Sequence, residues 1–117
     1  MRILMFSWEY PPSVVGGLGK HVAELLPPLA QLPGVELHLV TPAWGAGESQ
    51  ERLAQAIIHR IPTPDLGPDF FASAEGTSLY LEEYAQRLWE QSGPFDLVHV
   101  HDWLVAFAGI ETKTKQN

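Results

Sequence analysis

Met1-Arg2-Ile3-Leu4-Met5-Phe6-Ser7-Trp8-Glu9-Tyr10-Pro11-Pro12-Ser13-Val14-Val15-Gly16-Gly17-Leu18-Gly19-Lys20-His21-Val22 opens the chain and decides how the rest is read. Ile3 to Ser7 is a short, almost unbroken apolar run, which suits a parallel strand covered on both faces. A loop rich in Pro and Gly follows from Trp8 to Gly17. Leu18, Val22, Leu25, Leu26 and Leu29 then recur at the spacing of one helical face. Pro27-Pro28 falls inside that pattern. Each proline removes a backbone donor and crowds the preceding turn, so a kink or early stop is expected there.

Pro33-Gly34 turns the chain into Val35 to Thr41, a second strand with Val35, Leu37 and Leu39 on one face. Ala56 to Ile61, bounded by Pro62 and Pro64, reads as a third strand. Thr63 to Gly76 is dense in Pro, Gly and Asp and reads as loop. A helix is expected from about Ser78 to Gln91, burying Leu81, Tyr84, Ala85, Leu88 and Trp89 and ending at Gly93-Pro94. Phe95 to His101 is a last strand, and Trp103 to Ile110 begins another helix. This alternation predicts an α/β fold, a doubly wound parallel sheet of Rossmann type, whose ligands bind outside the carboxyl ends of the strands. The polar tail Glu111–Asn117 lacks the strand that should follow a crossover helix, so the sheet reads as truncated.

The chain has 117 residues, 45% of them hydrophobic, with four Trp and no Cys. A chain this long buries roughly 65% of its unfolded surface, enough for a modest core. The net charge of −7 repels phosphate backbones and anionic lipids, arguing against nucleic-acid and membrane-surface partners. Without Cys there is neither a disulfide nor a thiolate metal site, which fits a reducing compartment. No leader-type cleavage site follows the first apolar run, and no stretch reaches membrane-spanning length, so the expected location is the cytoplasm.

Two polar clusters fall at strand carboxyl ends. In the first, Gly16, Gly17, Leu18 and Gly19 join loop to helix. Glycines let the backbone approach a ligand, and a helix N-terminus offers free N–H groups to an anion such as pyrophosphate. The competing reading is a turn that packs the helix tightly on the sheet. A dinucleotide fingerprint fits badly, because Val22 stands where a third glycine belongs. In the second cluster, His99-Val100-His101-Asp102, residues 99 and 101 share one side of a regular strand. His101 and Asp102 lie where strand becomes loop, so an imidazole and a carboxylate are available to a sugar hydroxyl or to developing charge. The alternatives are a satisfied core histidine at His99, or a metal site from His99, His101 and Asp102, which would need further ligands downstream. His21 is expected to face outward or towards the loop, and His38 and His59 to lie at the surface.

Phe6-Ser7-Trp8-Glu9-Tyr10-Pro11-Pro12 with Val15-Gly16-Gly17-Leu18-Gly19-Lys20-His21-Val22 resembles the N-terminal signature of glycogen and starch synthases and their retaining glycosyltransferase relatives. Asp96-Leu97-Val98-His99-Val100-His101-Asp102-Trp103 resembles their second signature, and Val40-Thr41-Pro42 sits where that group ends its second strand. The resemblance covers residues 2 to about 110. It implies a GT-B architecture of two Rossmann-like domains facing a cleft, with neither metal nor cofactor required. It further implies that Gly16, Gly17, Leu18 and Gly19 approach the donor's phosphates and sugar, that Glu9 and Tyr10 belong to the acceptor side or the loop, and that His101, with Asp102 beside it, contacts the donor sugar near the reacting carbon. Val14 departs from the lysine typical of bacterial glycogen synthases, which leaves room for relatives using other sugars or acceptors.

The implied activity is transfer of a hexosyl group, glucosyl by the resemblance, from a nucleoside-diphosphate sugar to an acceptor hydroxyl such as that of an α-glucan, with retention. Residues 1–117 are then a partial N-terminal domain lacking its nucleotide-binding C-terminal partner, inactive alone and prone to self-association. The alternative is a non-catalytic binding or interaction module that kept the fold and the loop.

Overall fold

A computed structural model describes residues 1–11, 17–43, 47–63 and 70–100. In chain order they form β1 (Arg2–Phe6), α1 (Gly17–Ala30), β2 (Glu36–Pro42), β3 (Ser49–Leu53), β4 (Ala56–Ile61), α2 (Phe70–Ser92) and β5 (Leu97–Val100). The strands make one sheet in the order β3-β4-β2-β1-β5. The four strands β4, β2, β1 and β5 are parallel, and only β3, at one edge, is antiparallel. This is the expected α/β class, a Rossmann-like sheet that is parallel except at one edge.

Residues alternate across β1 and so divide the core in two. Ile3 and Met5 face α1, meeting Val22, Leu26 and Ala30 together with Leu37, Leu39 and Ile58. Leu4 and Phe6 face α2, meeting Leu81, Ala85, Val40, Ile61 and Phe95. The expected buried residues of the second helix all lie in that second cluster or against it.

Four sequence expectations need correction. First, α1 does not stop at Pro27-Pro28 but runs through Ala30. Burying Val22, Leu26 and Ala30, worth about 1.5–3 kcal/mol for a leucine, offsets the backbone bonds the prolines cannot make. The helix then closes with tightened bonds, Gln31 N–H to Pro28 O at 3.3 Å and Leu32 N–H to Leu29 O at 3.2 Å. Second, α2 begins at Phe70, so Phe70 to Gly76 is helix rather than loop. Its early turns bury Ala74, Thr77 and Ser78, small residues at helical spacing that carry little hydrophobic signal but let the helix approach the sheet closely.

Third, β3 was not expected at all. Its sequence, Ser49-Gln50-Glu51-Arg52-Leu53, is almost wholly exposed, as suits a charged strand that protects a sheet edge from foreign pairing. The β3–β4 turn places Ala54 at φ 51°, a left-handed conformation that costs a non-glycine residue about 1–2 kcal/mol. Anchoring offsets that cost: Gln55 N–H donates to Ala30 O at 2.9 Å, and Gln55 O accepts from Leu37 N–H at 3.1 Å.

Fourth, the buried histidines are the reverse of those expected. His99 is exposed, whereas His38 and His59 are buried under α2, because a strand covered on both faces has no solvent side. The two rings are joined, His38 Nδ1 to His59 Nε2, at 2.8 Å. His38 Nε2 lies 3.2 Å from Glu36 Oε2, and His59 Nδ1 lies 2.6 Å from the Tyr84 hydroxyl. Burial pushes both histidine pKa values down, that of His59 to about 4 with a further push from His38. Both rings are therefore neutral at pH 7, and the donors follow. A carboxylate only accepts, so His38 carries its proton on Nε2, His59 donates from Nε2 to His38, and Tyr84 donates to His59. The chain ends at solvent, where Gln50 Nε2 donates to Tyr84 Oη at 3.3 Å. There Tyr84 helps line a groove of about 260 Å³ with Glu48, Gln50, Arg87, Leu88 and Gln91.

Arg2 fastens the opposite end of the sheet. Its guanidinium bonds Glu36 Oε2 at 2.6 Å, Gly93 O at 2.8 Å, Pro94 O at 2.7 Å and Ser92 Oγ at 3.0 Å, and it stacks 4.5 Å from the Phe95 ring centroid. One side chain thus joins β2 to the end of α2. Gly93, at φ 97°, makes the turn there that other residues resist.

The histidine pair makes stability depend on pH. Above the unfolded value of 6.5 for His59, folded and unfolded chains are both neutral there and the contribution is complete. Between 6.5 and about 4 the unfolded chain binds a proton that the folded one refuses, so stability falls as pH falls. His59 alone accounts for a loss on the order of 3 kcal/mol across that window. Urea unfolding between pH 7.5 and 4.5 is expected to show a midpoint that is level above about pH 6.5 and falls below it, and a flat profile throughout would contradict neutral buried rings.

Candidate functional site

The strand order reverses at β1. From β1 the chain passes through α1 to β2 on one side, and α2 later carries it from β4 back across the sheet to β5 on the other. The two helices cover opposite faces, since α1 belongs to one apolar cluster and α2 to the other. Neighbouring strands whose connections leave in opposite directions open a crevice at their carboxyl ends, the usual ligand position in such sheets. Here that crevice lies between β1 and β5, where Phe6 pairs with Val100.

Ser7 to Pro11 leave β1 at this edge, and each is held. Ser7 is buried, its N–H donating to Val40 O at 3.2 Å. Its hydroxyl donates to Glu9 O at 2.6 Å and accepts from Glu9 N–H at 3.4 Å, a local turn in which the serine side chain replaces a backbone partner. Glu9 is half-buried. Tyr10 is buried in the α1-side core against Ile3, Met5, Val22 and Leu26, and burial, followed by the charge of Glu51, raises its phenol pKa. Arg60, at the carboxyl end of β4, donates from Nη2 to Pro11 O at 2.8 Å and to Glu51 Oε1 at 2.8 Å. Its guanidinium also lies 5.4 Å from the Tyr10 ring centroid.

Gly17, Leu18 and Gly19 form the first turn of α1, whose N-terminus carries no acidic residue. First-turn N–H groups of a helix attract an anion, and no acidic residue within this turn competes with one. Gly16 lies outside the described residues, as do His101 and Asp102, the next two after Val100 in sequence. β1 and β5 are side by side; His99 lies on β5, with His101 and Asp102 next in sequence, and Gly17 to Gly19 open the helix that follows β1 in chain order. Residue type does not single out Arg60, because it lies in a different segment and meets Pro11 only through the strand order β4-β2-β1. Among the described residues, no group of three or more His, Cys, Asp or Glu could hold a metal ion, and no helix is long and apolar enough to cross a membrane.

Comparison with known proteins agrees with this architecture. A family model described as Glycosyltransferase Family 4 matches residues 15–115. An uncharacterized glycosyltransferase of Methanocaldococcus jannaschii is 30% identical over 115 residues, 97% of this chain and 28% of that protein. A glycogen synthase of Mycobacterium tuberculosis is 33% identical over 124 residues, 94% of this chain and 30% of that protein. An alpha-maltose-1-phosphate synthase of the same species is 34% identical over 111 residues, 93% of this chain and 24% of that protein. The chain thus spans less than a third of the length of these relatives. With the family match extending over most of its length, on a sheet of the matching kind, the chain belongs to Glycosyltransferase Family 4 and is a GT-B, glycogen-synthase-like N-terminal domain.

Proposed function

We propose that the chain is the acceptor-side half of a retaining glycosyltransferase that moves a hexosyl group, glucosyl in the simplest case, from a nucleoside-diphosphate sugar to an acceptor hydroxyl such as that of an α-glucan. The observation that carries this reading is the adjacency of β1 and β5 at the point where the strand order reverses. The glycine-rich loop follows one of these strands and His101-Asp102 the other, so a donor seated in the crevice would meet both.

In this reading the loop and the first turn of α1, with Gly16, Gly17, Leu18 and Gly19, offer backbone N–H groups to the donor's pyrophosphate. Macrodipole attraction supplies only about 0.3–1 kcal/mol, so direct N–H contacts provide most of the grip. His101 hydrogen-bonds the donor sugar close to its anomeric carbon, and Asp102 holds polar company with it at the crevice. As the pyrophosphate leaves, positive charge grows on the sugar ring, and a neutral imidazole with a nearby carboxylate is a suitable electrostatic neighbour. Glu9 and Tyr10 belong to the acceptor side or to the loop, Tyr10 from its anchored place in the core. A second Rossmann-like domain beyond the segment in hand supplies the nucleotide grip. The name glycogen synthase among the relatives supports an α-glucan acceptor, and the net charge favours neither nucleic acid nor anionic membrane as a partner. The protein acts in the cytoplasm, without a cofactor.

The test is nucleoside-diphosphate release by the two-domain protein, supplied with a panel of nucleoside-diphosphate glucoses and an oligoglucan acceptor. Release that depends on both substrates is expected, with an α-linked product, and no turnover with any donor would overturn the reading. His101→Ala is expected to lower kcat by about 10²–10³-fold while leaving the thermal midpoint within a few degrees, since a crevice residue contributes little to stability. Gly16→Val should instead weaken donor binding, read as a raised KM, because a branched side chain bars close approach of the backbone to pyrophosphate. Residues 1–117 alone are expected to consume no donor, and to sediment as more than a monomer, with Leu97 and Val100 exposed on β5.

A further inference from the structure

We propose that Arg60 is a positioning residue for sugar transfer, acting through the Ser7–Pro11 segment that leads into the glycine-rich loop. The inference rests on the glycosyltransferase reading above. Arg60 lies two strands away from β1 in the sheet. Its register partner is Thr41, one residue beyond the Val40–Phe6 pair, so Arg60 stands at the same carboxyl edge as the crevice. From there its side chain, only 14% exposed, reaches back over the sheet to Pro11, the last described residue before the loop glycines.

The geometry defines what the guanidinium does. Its Nη2 donates both to Pro11 O and to Glu51 Oε1, each at 2.8 Å, while the plane lies near the Tyr10 ring. One nitrogen meets a carbonyl and a carboxylate while the planar group lies near an aromatic ring, a stacking that the compact point charge of an ammonium lacks. Because Nη2 is shared between two acceptors within the protein, Arg60 is better placed to hold the loop than to bind a phosphate. Glu51 lies on the exposed edge strand, and such an ion pair adds little to stability by itself. What it supplies is direction, since it fixes the guanidinium against Pro11 O. Tyr10 is already anchored in the core, so the Arg60 bond fixes the backbone one residue further on, at the point from which the loop departs.

A loop that binds pyrophosphate through backbone N–H groups works only if those groups are preset, and a misplacement of about 1 Å can cost on the order of 10²-fold in rate. In the two-domain protein, Arg60→Ala is therefore expected to lower kcat/KM for the nucleotide sugar by about 10- to 100-fold, with the protein still folded by circular dichroism. Arg60→Lys recovers only part of the loss, because the shorter lysine has no planar group to lie against Tyr10 and its ammonium falls short of the Nη2 position. Combined with Gly16→Val, which already removes the loop's contribution, Arg60→Ala should add less than about a twofold further loss. An equal loss in both backgrounds would show that Arg60 acts elsewhere and would overturn the proposal, as would an unchanged kcat/KM. If Arg60→Ala does not fold, Arg60→Lys and Glu51→Gln decide through the same combination with Gly16→Val. Amide hydrogen exchange separates this proposal from the reading it rests on. Exchange across residues 9–17 is expected to rise roughly tenfold in the variants while β2 and β4 stay protected, and unchanged exchange would overturn the clamp. Absence of sugar transfer by the unmodified protein overturns the glycosyltransferase reading instead, and the exchange result still decides whether Arg60 holds the loop.

Discussion

Burial of β1 on both faces is the constraint from which the rest of the structure follows. Leu4 and Phe6 have no exposed surface, and Ile3 and Met5 almost none. A strand so enclosed needs a helix above and a helix below, and α1 and α2 provide one each. It also needs paired neighbours on both sides, and β2 and β5 supply them. A chain that goes first to one side of its central strand and later to the other necessarily reverses its strand order there. The crevice at the carboxyl ends of β1 and β5 is therefore a by-product of covering one apolar strand. Such a reversal is the usual ligand position in sheets of this kind.

The two arginines at the ends of the sheet show how charge is used once the core has set the layout. Arg2 sits at the amino edge and joins β2 to the end of α2 by four side-chain bonds. Arg60 sits at the carboxyl edge and joins β4 to the segment leaving β1. Each neutralises its charge against a glutamate, Glu36 or Glu51, that remains about half exposed. Neither pair is buried deeply enough to incur the full desolvation cost of an interior salt bridge. Both tie together segments that are far apart in sequence, where loop-closure entropy is largest and a fixed geometry is hardest to obtain from local turns.

What the sequence made legible follows from how each element earns its stability. β1, β2 and β4 were visible as apolar runs because both of their faces are covered, and α1 because Val22, Leu25, Leu26 and Leu29 repeat at helical spacing. β3 was invisible, because an edge strand of Ser49, Gln50, Glu51 and Arg52 is held by its backbone ladder to β4 and shows no apolar face. The first turns of α2 were misread for a related reason: Ala74, Thr77 and Ser78 pack by being small, which a hydrophobic pattern does not record. Residue type marks the glycines and the His101-Asp102 pair as candidates, of which Gly16, His101 and Asp102 lie outside the described residues. Arg60 could not be found that way, since its role depends on β4 lying beside β2 and β2 beside β1. The burial of His38 and His59 leaves no mark in the sequence, because polar strand residues usually face solvent and this sheet has no solvent face at that point.

Those two histidines also address a problem that an apolar sheet leaves open. β2 and β4 present Leu37, Leu39 and Val40 to Ala56, Ile58 and Ile61, side chains similar enough that a shift of register by two residues would still bury apolar against apolar. The present register sets His38 opposite Ile57 and Val40 opposite His59, which leaves the two histidines diagonal to each other and close enough to bond. Sliding β2 along β4 would separate them and leave ring nitrogens buried without partners, at about 1–3 kcal/mol for each unsatisfied group. The chain from Glu36 through His38 and His59 to Tyr84 also fixes α2 against this face, because its hydroxyl must meet His59 at one position along the helix. Apolar burial determines that β2, β4 and α2 pack together. The polar chain selects one alignment among several that burial alone would tolerate, and in doing so sets how far the carboxyl end of β4, with Arg60, stands from the loop it holds.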